Sequence, residues 1–306
     1  MKILTIGSSN TDLTVHIANM PKPGETVLGR DFTIGAGGKG ANQAVGAARL
    51  GAEVTFSCMV GDDENGRRSI EGYRKEKIDT SYIFVHPEAP SGVAMILVDG
   101  KGENCIVVDS GANGRFRPDD VDKIGALEKF DIALAQLEIP LETVEHAADL
   151  CSAAGVRFVL NPAPARKLPE SLLAKTDIIT PNETEAEILT GIQVSDSQGA
   201  EAAAKALCAK GVKSVIITLG CKGAYLYSEG RGRLARAYKV DAVDTTAAGD
   251  IFNAALCVAL GSGKGLDEAA KFASAASAIA VTRKGAQSSI PNYDEVTEFI
   301  ETHQND

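Results

Sequence analysis

Residues 244–250 read Asp-Thr-Thr-Ala-Ala-Gly-Asp, and residues 251–260 continue as Ile-Phe-Asn-Ala-Ala-Leu-Cys-Val-Ala-Leu. The stretch passes from a polar segment through small residues into a long apolar run, which predicts a loop leading into a buried helix. The first amides of a helix have no carbonyl partner within it and attract anions, phosphate above all. We therefore expect an anion site at the backbone N–H groups of Ala247, Ala248 and Gly249.

Asp250 lies on the same turn, where its carboxylate would compete with an incoming phosphate. Two interpretations are open. In the first, Asp250 caps the helix, since Asp is a favoured N-cap residue. In the second, Asp250 accepts the proton of a hydroxyl group that attacks a phosphoryl group. The remainder of the chain favours the second interpretation.

The composition is that of an ordinary globular protein, with 44% hydrophobic residues among 306. A formal net charge of −10 argues against nucleic acid or an anionic membrane as the main partner. Six cysteines are scattered without a Cys-x-x-Cys pair, the N-terminal apolar run is too short for a secretory signal, and no segment reaches the length of a membrane span. We therefore expect a cytoplasmic protein that binds neither nucleic acid nor a membrane.

Strand-like and helix-like runs alternate from residue 131 onward. The strand candidates are 131–137, 156–160, 177–180 and 214–219, and the helix candidates are 141–154, 184–189 and 200–209. Such alternation predicts a parallel sheet with both faces covered. The expected fold class is α/β, with a doubly wound, mostly parallel central sheet flanked by helices in a single domain of residues 1–306.

Polar side chains recur where the predicted strands end. Asn10 and Asp12 follow the first strand, and the corresponding positions after later strands are taken by Glu138, Asn161, Asn182, Glu185 and the turn 220–223. Because ligands of doubly wound sheets bind at the carboxyl ends of the strands, these residues predict one ligand-binding edge. Asn10 and Asp12 suit neighbouring sugar hydroxyls, although a simple Asx turn fits them equally well.

Three segments near this edge have both a structural and a functional interpretation. Asn182 and Glu185 have the spacing of a helix capping box, and Glu185 equally suits the water shell of Mg²⁺. The glycine-rich turn 218–223 follows a strand and suits the tail of a nucleotide. The loop 282–289 is rich in carbonyls and hydroxyls that suit a hard cation, although a helix C-cap at Gly285 fits as well.

Residues 35–44 contain Gly-x-Gly-x-x-Gly and open a predicted helix that runs to Leu50. A dinucleotide site would require an acidic residue at the end of the following strand, but Glu53 begins that strand. We therefore expect these glycines to let the backbone approach a polyol, with Lys39 and Asn42 reaching its hydroxyls.

Four strand-like pieces form two pairs, 13–17 with 27–34 and 92–98 with 104–108. They alternate apolar and polar residues, as half-exposed strands do. We expect a small sheet that projects from the main domain, is built from about residues 11–35 and 92–109, and covers the site as a lid. Since such a sheet leaves one apolar face and open edges, a homodimer formed through the lid is also expected.

Two motifs connect these features to a known family. Residues 37–44, Gly-Gly-Lys-Gly-Ala-Asn-Gln-Ala, and residues 244–250 match the two signatures of the PfkB-type carbohydrate kinase family. The stretches 136–138, 161–166, 178–187 and 280–287 also resemble this family, in the same order. The chain therefore resembles the family over essentially its whole length.

This resemblance implies a role for each candidate residue. Asp250 becomes the catalytic base, and the amides of Ala247, Ala248, Gly249 and Asp250 form an anion hole. The residues implied to hold the sugar are Asn10, Asp12, Gly38, Lys39, Asn42, Glu138 and Asp250. Those implied to contact ATP, with Glu185 tied to Mg²⁺ and phosphate, are Asn182, Glu185, Thr218, Leu219, Gly220, Cys221, Lys222, Gly223 and Gly249. Those implied to bind an activating monovalent cation, usually K⁺, are Asp244, Thr246, Ala280, Arg283, Gly285 and Ser289.

The reaction implied by the resemblance moves the γ-phosphoryl group of ATP to the 5-hydroxyl of D-ribose and yields D-ribose 5-phosphate. Another acceptor in the same family, such as fructose, a nucleoside or a sugar phosphate, is the first alternative. A chain with 5% aromatic residues and no Trp is less suited to stacking a nucleoside base. A non-catalytic sugar-binding regulator is the second alternative, and the intact Asp250, Gly249 and Asn182 argue against it.

Overall fold

Residues 1–303 are described by a computed structural model and form two β-sheets, with helices packed on the larger one. The strands are β1 (Lys2–Ile6), β2 (Asn10–His16), β3 (Arg30–Gly37), β4 (Glu53–Gly61), β5 (Ile83–His86), β6 (Gly92–Val98), β7 (Asn104–Asp109), β8 (Ile132–Ala135), β9 (Arg157–Leu160), β10 (Ile178–Ile179), β11 (Ser214–Thr218), β12 (Ala224–Ser228) and β13 (Arg231–Ala235). The helices are α1 (Lys39–Arg49), α2 (Glu64–Lys75), α3 (Pro118–Asp122), α4 (Leu141–Ala154), α5 (Glu170–Leu173), α6 (Glu183–Thr190), α7 (Ser197–Ala209), α8 (Ala248–Gly261), α9 (Leu266–Val281) and α10 (Tyr293–Thr302). The last three residues of the predicted domain, 304–306, lie outside the described residues.

The larger sheet has nine strands in the order β13-β12-β11-β10-β9-β8-β1-β4-β5. Neighbours from β11 to β5 are parallel, whereas β12 and β13 are added antiparallel. The chain moves from β1 to β4 on one side and later from β8 outward on the other, so the strand order reverses between β1 and β8. The doubly wound, mostly parallel sheet predicted from the sequence is confirmed, and its switch point is where such sheets bind ligands.

The hairpin β12–β13 is missing from the sequence prediction. Strand β12 is buried on both faces, so it lacks the alternation that marks a half-exposed strand. Its turn uses Glu229 and Gly230, both with positive φ, as two-residue hairpin turns require.

Two apolar layers cover the central sheet. The layer that contains α1, α8, α9 and α10 buries Phe56 and Phe252, and the layer that contains α3, α4, α6 and α7 buries Phe116 and Phe158. Full burial of one large apolar side chain stabilises the fold by roughly 1.5–3 kcal/mol. These layers hold the helices rigidly against the sheet and thereby fix the loops at the strand ends.

Helix α8 is buried continuously over residues 250–260 and packs against α1 and α9. A Cβ atom at Gly46 of α1 would lie 2.8 Å from the Cβ of Ala254, so α1 and α8 approach closely. This contact joins two helices that are far apart in sequence. Within residues 1–303, neither α8 nor any other helix has both the length and the apolar composition needed to cross a bilayer.

The smaller sheet has the order β3-β2-β6-β7. Strands β2 and β3 are antiparallel, as are β6 and β7, and β2 joins the two pairs by running parallel to β6. Both predicted strand pairs are therefore present. Strand β3 lies three residues later than predicted, because its register pairs Gly37 with Asn10 and carries the chain directly into α1.

Candidate active site

Glycines hold the start of α1 against the loop that follows β1. Gly38, at the N-cap of α1, has φ 89°, a left-handed conformation that favours glycine. A Cβ at Gly40 would lie 2.5 Å from the backbone nitrogen of Ser8, and one at Gly38 would lie 2.7 Å from that of Asn10. The helix start therefore touches the backbone at the carboxyl end of β1.

Glu138 and Ser8 occupy the free amides at the start of α1. Glu138 Oε2 accepts a hydrogen bond from the amide of Lys39 at 3.0 Å and one from Ser8 Oγ at 2.5 Å. The carbonyl of Ser8 accepts from the amide of Ala41 at 2.9 Å. A carboxylate at a helix N-terminus is stabilised by the helix dipole. The switch point between β1 and β8 thus brings Glu138 and Lys39 together.

Asp250 is the third residue of α8 and does not cap the helix. The N-cap position is held by Ala247, whose φ is 60°. The carboxylate of Asp250 is 5% exposed and accepts from Asn42 Nδ2 and Gln43 Nε2, each at 3.0 Å. Burial raises the pKa of Asp250, while the charge of Lys39 and the two amide hydrogen bonds lower it. A buried carboxylate with raised proton affinity is suited to accepting a proton.

The amides at the start of α8 differ in availability. The amide of Ala248 donates to the carbonyl of Thr245 at 3.2 Å. The amides of Ala247, Gly249 and Asp250 have no protein acceptor among residues 1–303. The expected anion site therefore has three free N–H donors instead of four, because the amide of Ala248 already has an acceptor.

A cavity of about 450 Å³ opens between the switch point and the smaller sheet. All seven residues that the resemblance implied for sugar binding lie in its wall: Asn10, Asp12, Gly38, Lys39, Asn42, Glu138 and Asp250. Strands β6 and β7 supply the apolar part of the wall with Ala94, Ile96, Ile106 and Val108. The cavity therefore combines one polar end with one apolar side.

The polar end of this cavity offers acceptors for hydroxyl groups. Asn42 Oδ1 is buried and has no hydrogen-bond partner among residues 1–303. Burial, with the negative charges of Glu138 and Asp250, raises the pKa of Asp12 to about 6. Asn10 and Asp12 belong to β2 rather than to an Asx turn, and Asn10 Oδ1 accepts from Asn113 Nδ2 at 2.7 Å.

A second cavity of about 570 Å³ lies on the other side of the start of α8. Its polar wall includes Asn182, Thr218, Gly220, Cys221, Gly223, Gly249 and Ser274, and its apolar wall includes Ala237, Tyr238, Val240, Phe252, Ala278 and Val281. Two predicted residues of the turn do not line it: Leu219 is buried, and Lys222 Nζ donates to the carbonyl of Ser195 at 3.3 Å. The two cavities share Ala242 and Thr245 and meet at the start of α8.

Asn182 and Glu185 form a reciprocal capping box at the start of α6, with both hydrogen bonds at 2.8 Å. Burial raises the pKa of Glu185, against the hydrogen bond from the Asn182 amide and the charge of Lys39. Residues 1–303 contain no cluster of three or more His, Cys, Asp or Glu side chains that could hold a metal ion. A single carboxylate such as Glu185 fits Mg²⁺ binding of the kind in which water and substrate phosphates supply most of the metal ligands.

Asp244 connects the segment before α8 with the loop after α9. Its Oδ1 accepts from the amide of Thr246 at 2.9 Å and from Thr246 Oγ1 at 2.6 Å, and its Oδ2 accepts from the amide of Gly285 at 2.8 Å. Burial acts to raise the pKa of Asp244, but these hydrogen bonds outweigh it and hold the pKa below its usual value. An ionised carboxylate beside main-chain carbonyls is donor chemistry that fits a hard cation.

The other three predicted cation ligands have protein partners. The carbonyl of Ala280 accepts from the amide of Arg283 at 2.9 Å, and the guanidinium of Arg283 pairs with Glu295 at 2.5 Å. Ser289 Oγ donates to the carbonyl of Ala286 at 2.7 Å. The structure thus brings Asp244, Thr246 and Gly285 into direct contact, whereas Ala280 lies in the last turn of α9 and Arg283 and Ser289 lie in the segment after it.

Sequence reasoning missed a buried polar layer beneath Asp250. The layer consists of Gln43, Gln136, Asn161, Thr180 and Asn253. Asn161, which was expected at the ligand-binding edge, is 6% exposed and accepts from Gln43 Nε2 at 3.0 Å. The signal in the sequence was the second amide of the pair Asn42-Gln43, which is followed along the helix by the small and apolar residues 44–48.

Comparison with known proteins places this geometry in a family. The pfkB family carbohydrate kinase model matches residues 1–293. The ribokinase of Haemophilus influenzae is 48% identical over 302 residues, which cover 98% of this chain and 99% of the relative. The deoxyribokinase of Salmonella typhi is 40% identical over 306 residues, which cover 99% of this chain and 100% of the relative.

Solved structures agree with these matches. The structure of Arabidopsis thaliana ribokinase complexed with ribose and ATP has a TM-score of 0.91 and 33% identity, and 98% of each chain is covered. The ribokinase of Thermotoga maritima has a TM-score of 0.89 and 39% identity, with 98% of this chain and 99% of that chain covered. With a family match over residues 1–293 and relatives this similar over nearly the whole length, the chain belongs to the PfkB family of carbohydrate kinases.

Proposed function

We propose that the chain transfers the γ-phosphoryl group of ATP to the 5-hydroxyl of D-ribose and releases D-ribose 5-phosphate. The observation that carries this proposal is the meeting of two cavities at the start of α8, with Asp250 in the wall of one and Gly249 in the wall of the other. The choice of acceptor and donor is inferred from similar proteins. The Haemophilus influenzae protein, at 48% identity, is a ribokinase, and the similar Arabidopsis ribokinase is complexed with ribose and ATP.

In the proposed reaction, one turn of α8 acts on both substrates. The acceptor hydroxyl lies against the carboxylate of Asp250, which orients it and accepts its proton. The amides of Ala247, Gly249 and Asp250 donate to the phosphoryl oxygens as negative charge grows on them. These donors are fixed by the helix, so they need no rearrangement during the transfer.

Position matters more than basicity for Asp250. A helix N-terminus lowers the pKa of a carboxylate, whereas burial raises the pKa of Asp250. In a loose phosphoryl-transfer transition state the proton leaves late, so a weak but well-placed base suffices. The charge of Asp250 raises the pKa of Lys39, which keeps a cation among the carboxylates of the site.

We place ATP in the second cavity. The apolar wall formed by Tyr238, Val240 and Phe252 suits the base, and the glycine-rich turn 218–223 suits the tail. Mg²⁺, when bound with ATP, neutralises charge on the β- and γ-phosphates. Glu185 would hold its hydration water from the first turn of α6.

An ADP-release assay with a panel of acceptors tests the proposal. The panel contains D-ribose, 2-deoxy-D-ribose, D-fructose, nucleosides and sugar phosphates, and D-ribose is expected to give the highest kcat/KM. The sharpest competitor is 2-deoxy-D-ribose, because a relative at 40% identity is a deoxyribokinase. A higher kcat/KM with another acceptor would reassign the substrate. No ATP consumption with any acceptor would favour the sugar-binding regulator.

Sugar binding is expected to weaken as the pH falls through about 6, where Asp12 titrates. Above this pH the carboxylate is ionised and accepts hydroxyl hydrogens with both oxygens, and below it one oxygen carries a proton. The KM for ribose should therefore rise between about pH 7 and pH 5, while the KM for ATP stays level. Asp12→Asn, which cannot titrate, should flatten the profile. A ribose KM that is independent of pH in the unaltered protein would contradict this role of Asp12.

The rate is expected to depend on the monovalent cation. A cation held by Asp244 and neighbouring carbonyls would order the segment 244–247, which leads into the anion-binding amides. Initial rates in K⁺-only, Na⁺-only and Cs⁺-only buffers of equal ionic strength should be highest in K⁺, and Asp244→Asn should reduce the difference between the ions. Equal rates in all three buffers would remove the cation from the proposal.

We propose that the smaller sheet acts as a lid over the sugar cavity and pairs with a second copy of the chain. Its strands carry exposed apolar residues on the face away from the cavity, among them Phe32, which is 60% exposed, Ile34 and Met95. Sedimentation at micromolar concentration should show twice the 31.9 kDa chain mass, and Phe32→Glu should lower the dimer fraction. A species of 31.9 kDa alone in the unaltered protein would exclude the dimer.

We also propose a cytoplasmic location. All six cysteines are free thiols, which suits a reducing compartment. Cys58, Cys151 and Cys257 are buried and pack as small apolar residues.

A further inference from the structure

We infer that Gln43 is the positioning residue for the proposed base, and that the side-chain sequence Gln136–Gln43–Asp250 fixes the direction of the carboxylate. The inference rests on the phosphoryl transfer proposed above. It concerns a residue that lies in the wall of neither cavity.

Gln43 is 0% exposed and uses every hydrogen-bonding group of its side chain. Its Nε2 donates to Asp250 Oδ1 and to Asn161 Oδ1, each at 3.0 Å, and its Oε1 accepts from Gln136 Nε2 at 2.6 Å. A side-chain amide has two N–H donors and one carbonyl, and here each has a partner. The amide cannot turn over without breaking all three hydrogen bonds.

Gln136 supports the orientation in which the NH₂ end of the Gln43 amide faces the base, and its own Oε1 is buried without a hydrogen-bond partner among residues 1–303. Because Gln136 donates to the carbonyl of Gln43, the NH₂ end is left for the carboxylate. In the reverse orientation Gln43 Oε1 would face Asp250 Oδ1, and the buried carboxylate would lose the hydrogen bond from Gln43 Nε2. Leaving a buried charged group without this donor has a substantial free-energy cost. Gln136 itself follows β8, and its side chain packs against Gly7, where a Cβ atom would overlap it.

Asn42 and Gln43 share the carboxylate but have different roles. Asn42 donates to Oδ2 and also lines the sugar cavity, so it acts on both the base and the acceptor. Gln43 donates to Oδ1 and contacts protein groups, so its effect reaches the substrate through Asp250. The neutral amides of Asn42 and Gln43 stabilise the ionised carboxylate of Asp250 less strongly than a cation in contact with it would. Asp250 therefore remains able to accept a proton.

The same layer continues to the anion-binding turn. Asn161 Nδ2 donates to the carbonyl of Thr180 at 3.4 Å, and Thr180 Oγ1 donates to Asn253 Oδ1 at 2.6 Å. Asn253 Nδ2 donates to the carbonyl of Gly249 at 2.8 Å. Thr180 therefore belongs to the layer without touching Asp250, which makes it a matched control for Gln43.

The test is Gln43→Met, which removes the amide and keeps the length of the side chain. We expect kcat for ribose phosphorylation to fall about 10- to 100-fold. The KM for ribose should change by less than about threefold, because the loss lies in the transition state. The acidic limb of the kcat profile should move to higher pH, since the hydrogen bond from Gln43 lowers the pKa of Asp250. Gln136→Met, which frees Gln43 to turn, should move the limb in the same direction by less.

Thr180→Val separates positioning from general weakening of the layer. It should lower the Tm by an amount comparable to Gln43→Met and leave the acidic limb in place. A Gln43→Met enzyme whose acidic limb lies at the same pH as that of Thr180→Val would overturn the inference. If Gln43→Met does not fold, an unshifted limb in Gln136→Met overturns it instead. The unaltered protein is assayed in parallel: if it does not phosphorylate ribose, the proposed function fails as well, whereas an active protein with unshifted variants removes only the role of Gln43.

Discussion

Asp250→Ala is expected to lose a factor of roughly 10²–10⁴ in turnover, the usual contribution of a positioned general base. The affinity for ribose should change far less, because six other residues that the resemblance assigns to the sugar remain in the same cavity wall. The measurements are kcat at saturating ribose and ATP, and ribose affinity by calorimetry. A variant with near-normal turnover would remove Asp250 from the mechanism.

Asp267→Ala provides the matched control for this substitution. Asp267 stands at the start of α9 and pairs with Arg233 on the surface. Exposed ion pairs of this kind contribute about 0–1 kcal/mol, so turnover should stay at the level of the unaltered protein. A comparable loss of turnover in both variants would point to a general effect of losing a carboxylate rather than to a missing base.

Gly40→Ala is expected to cause the second-largest loss, roughly 10²-fold in kcat/KM, because it misplaces several groups of the site at once. The new Cβ would lie 2.5 Å from the nitrogen of Ser8 and 2.7 Å from the carbonyl carbon of Gly7. These are backbone atoms, so relief requires α1 to move away from β1, and the free energy of unfolding should fall by about 1–3 kcal/mol. Lys39 and Asn42 would move with the helix.

Gly72→Ala makes the same change in a helix where no neighbour interferes. Gly72 lies in α2, and a Cβ there would meet no atom within 4 Å. Since Ala is the better helix former, this variant should be as stable as the original or more stable by up to about 1 kcal/mol. Denaturant midpoints and kcat/KM are compared for both variants. A Gly40→Ala protein that behaves like Gly72→Ala would contradict the tight contact between α1 and β1.

The features that could be predicted are those that depend on the local pattern of residues along the sequence. Helix α4 was predicted with its observed bounds because its apolar residues recur at helical spacing and the pattern ends at Gly155, which adopts the left-handed C-cap conformation. Asn10 and Glu138, which line the cavity between the switch point and the smaller sheet, were predictable because parallel strands place their carboxyl ends at one edge. Neither prediction required knowledge of how distant helices pack.

The remaining features depend on contacts between distant segments. Gln43 and Gln136 are 93 positions apart, and Asn42 and Asp250 are 208 apart. No local periodicity reports such pairs, since they exist only once α1 lies beside both α8 and the end of β8. Whether Asp250 caps the helix was likewise undecidable from residue preference, because the left-handed conformation of Ala247 starts α8 earlier and moves Asp250 into its first turn.

The close packing of Gly46 on Ala254 has a practical consequence for redesigning the acceptor specificity of the protein. Helices α1 and α8 have no space between them for larger side chains, so mutagenesis libraries on these helices would yield mostly misfolded clones. Ile96, Ile106 and Val108 line the cavity that contains Asp250 and Glu138, and they do so from strands β6 and β7 rather than from α1 or α8. Randomising these three positions would reshape the pocket for bulkier polyols while the chemistry at its polar end stays intact.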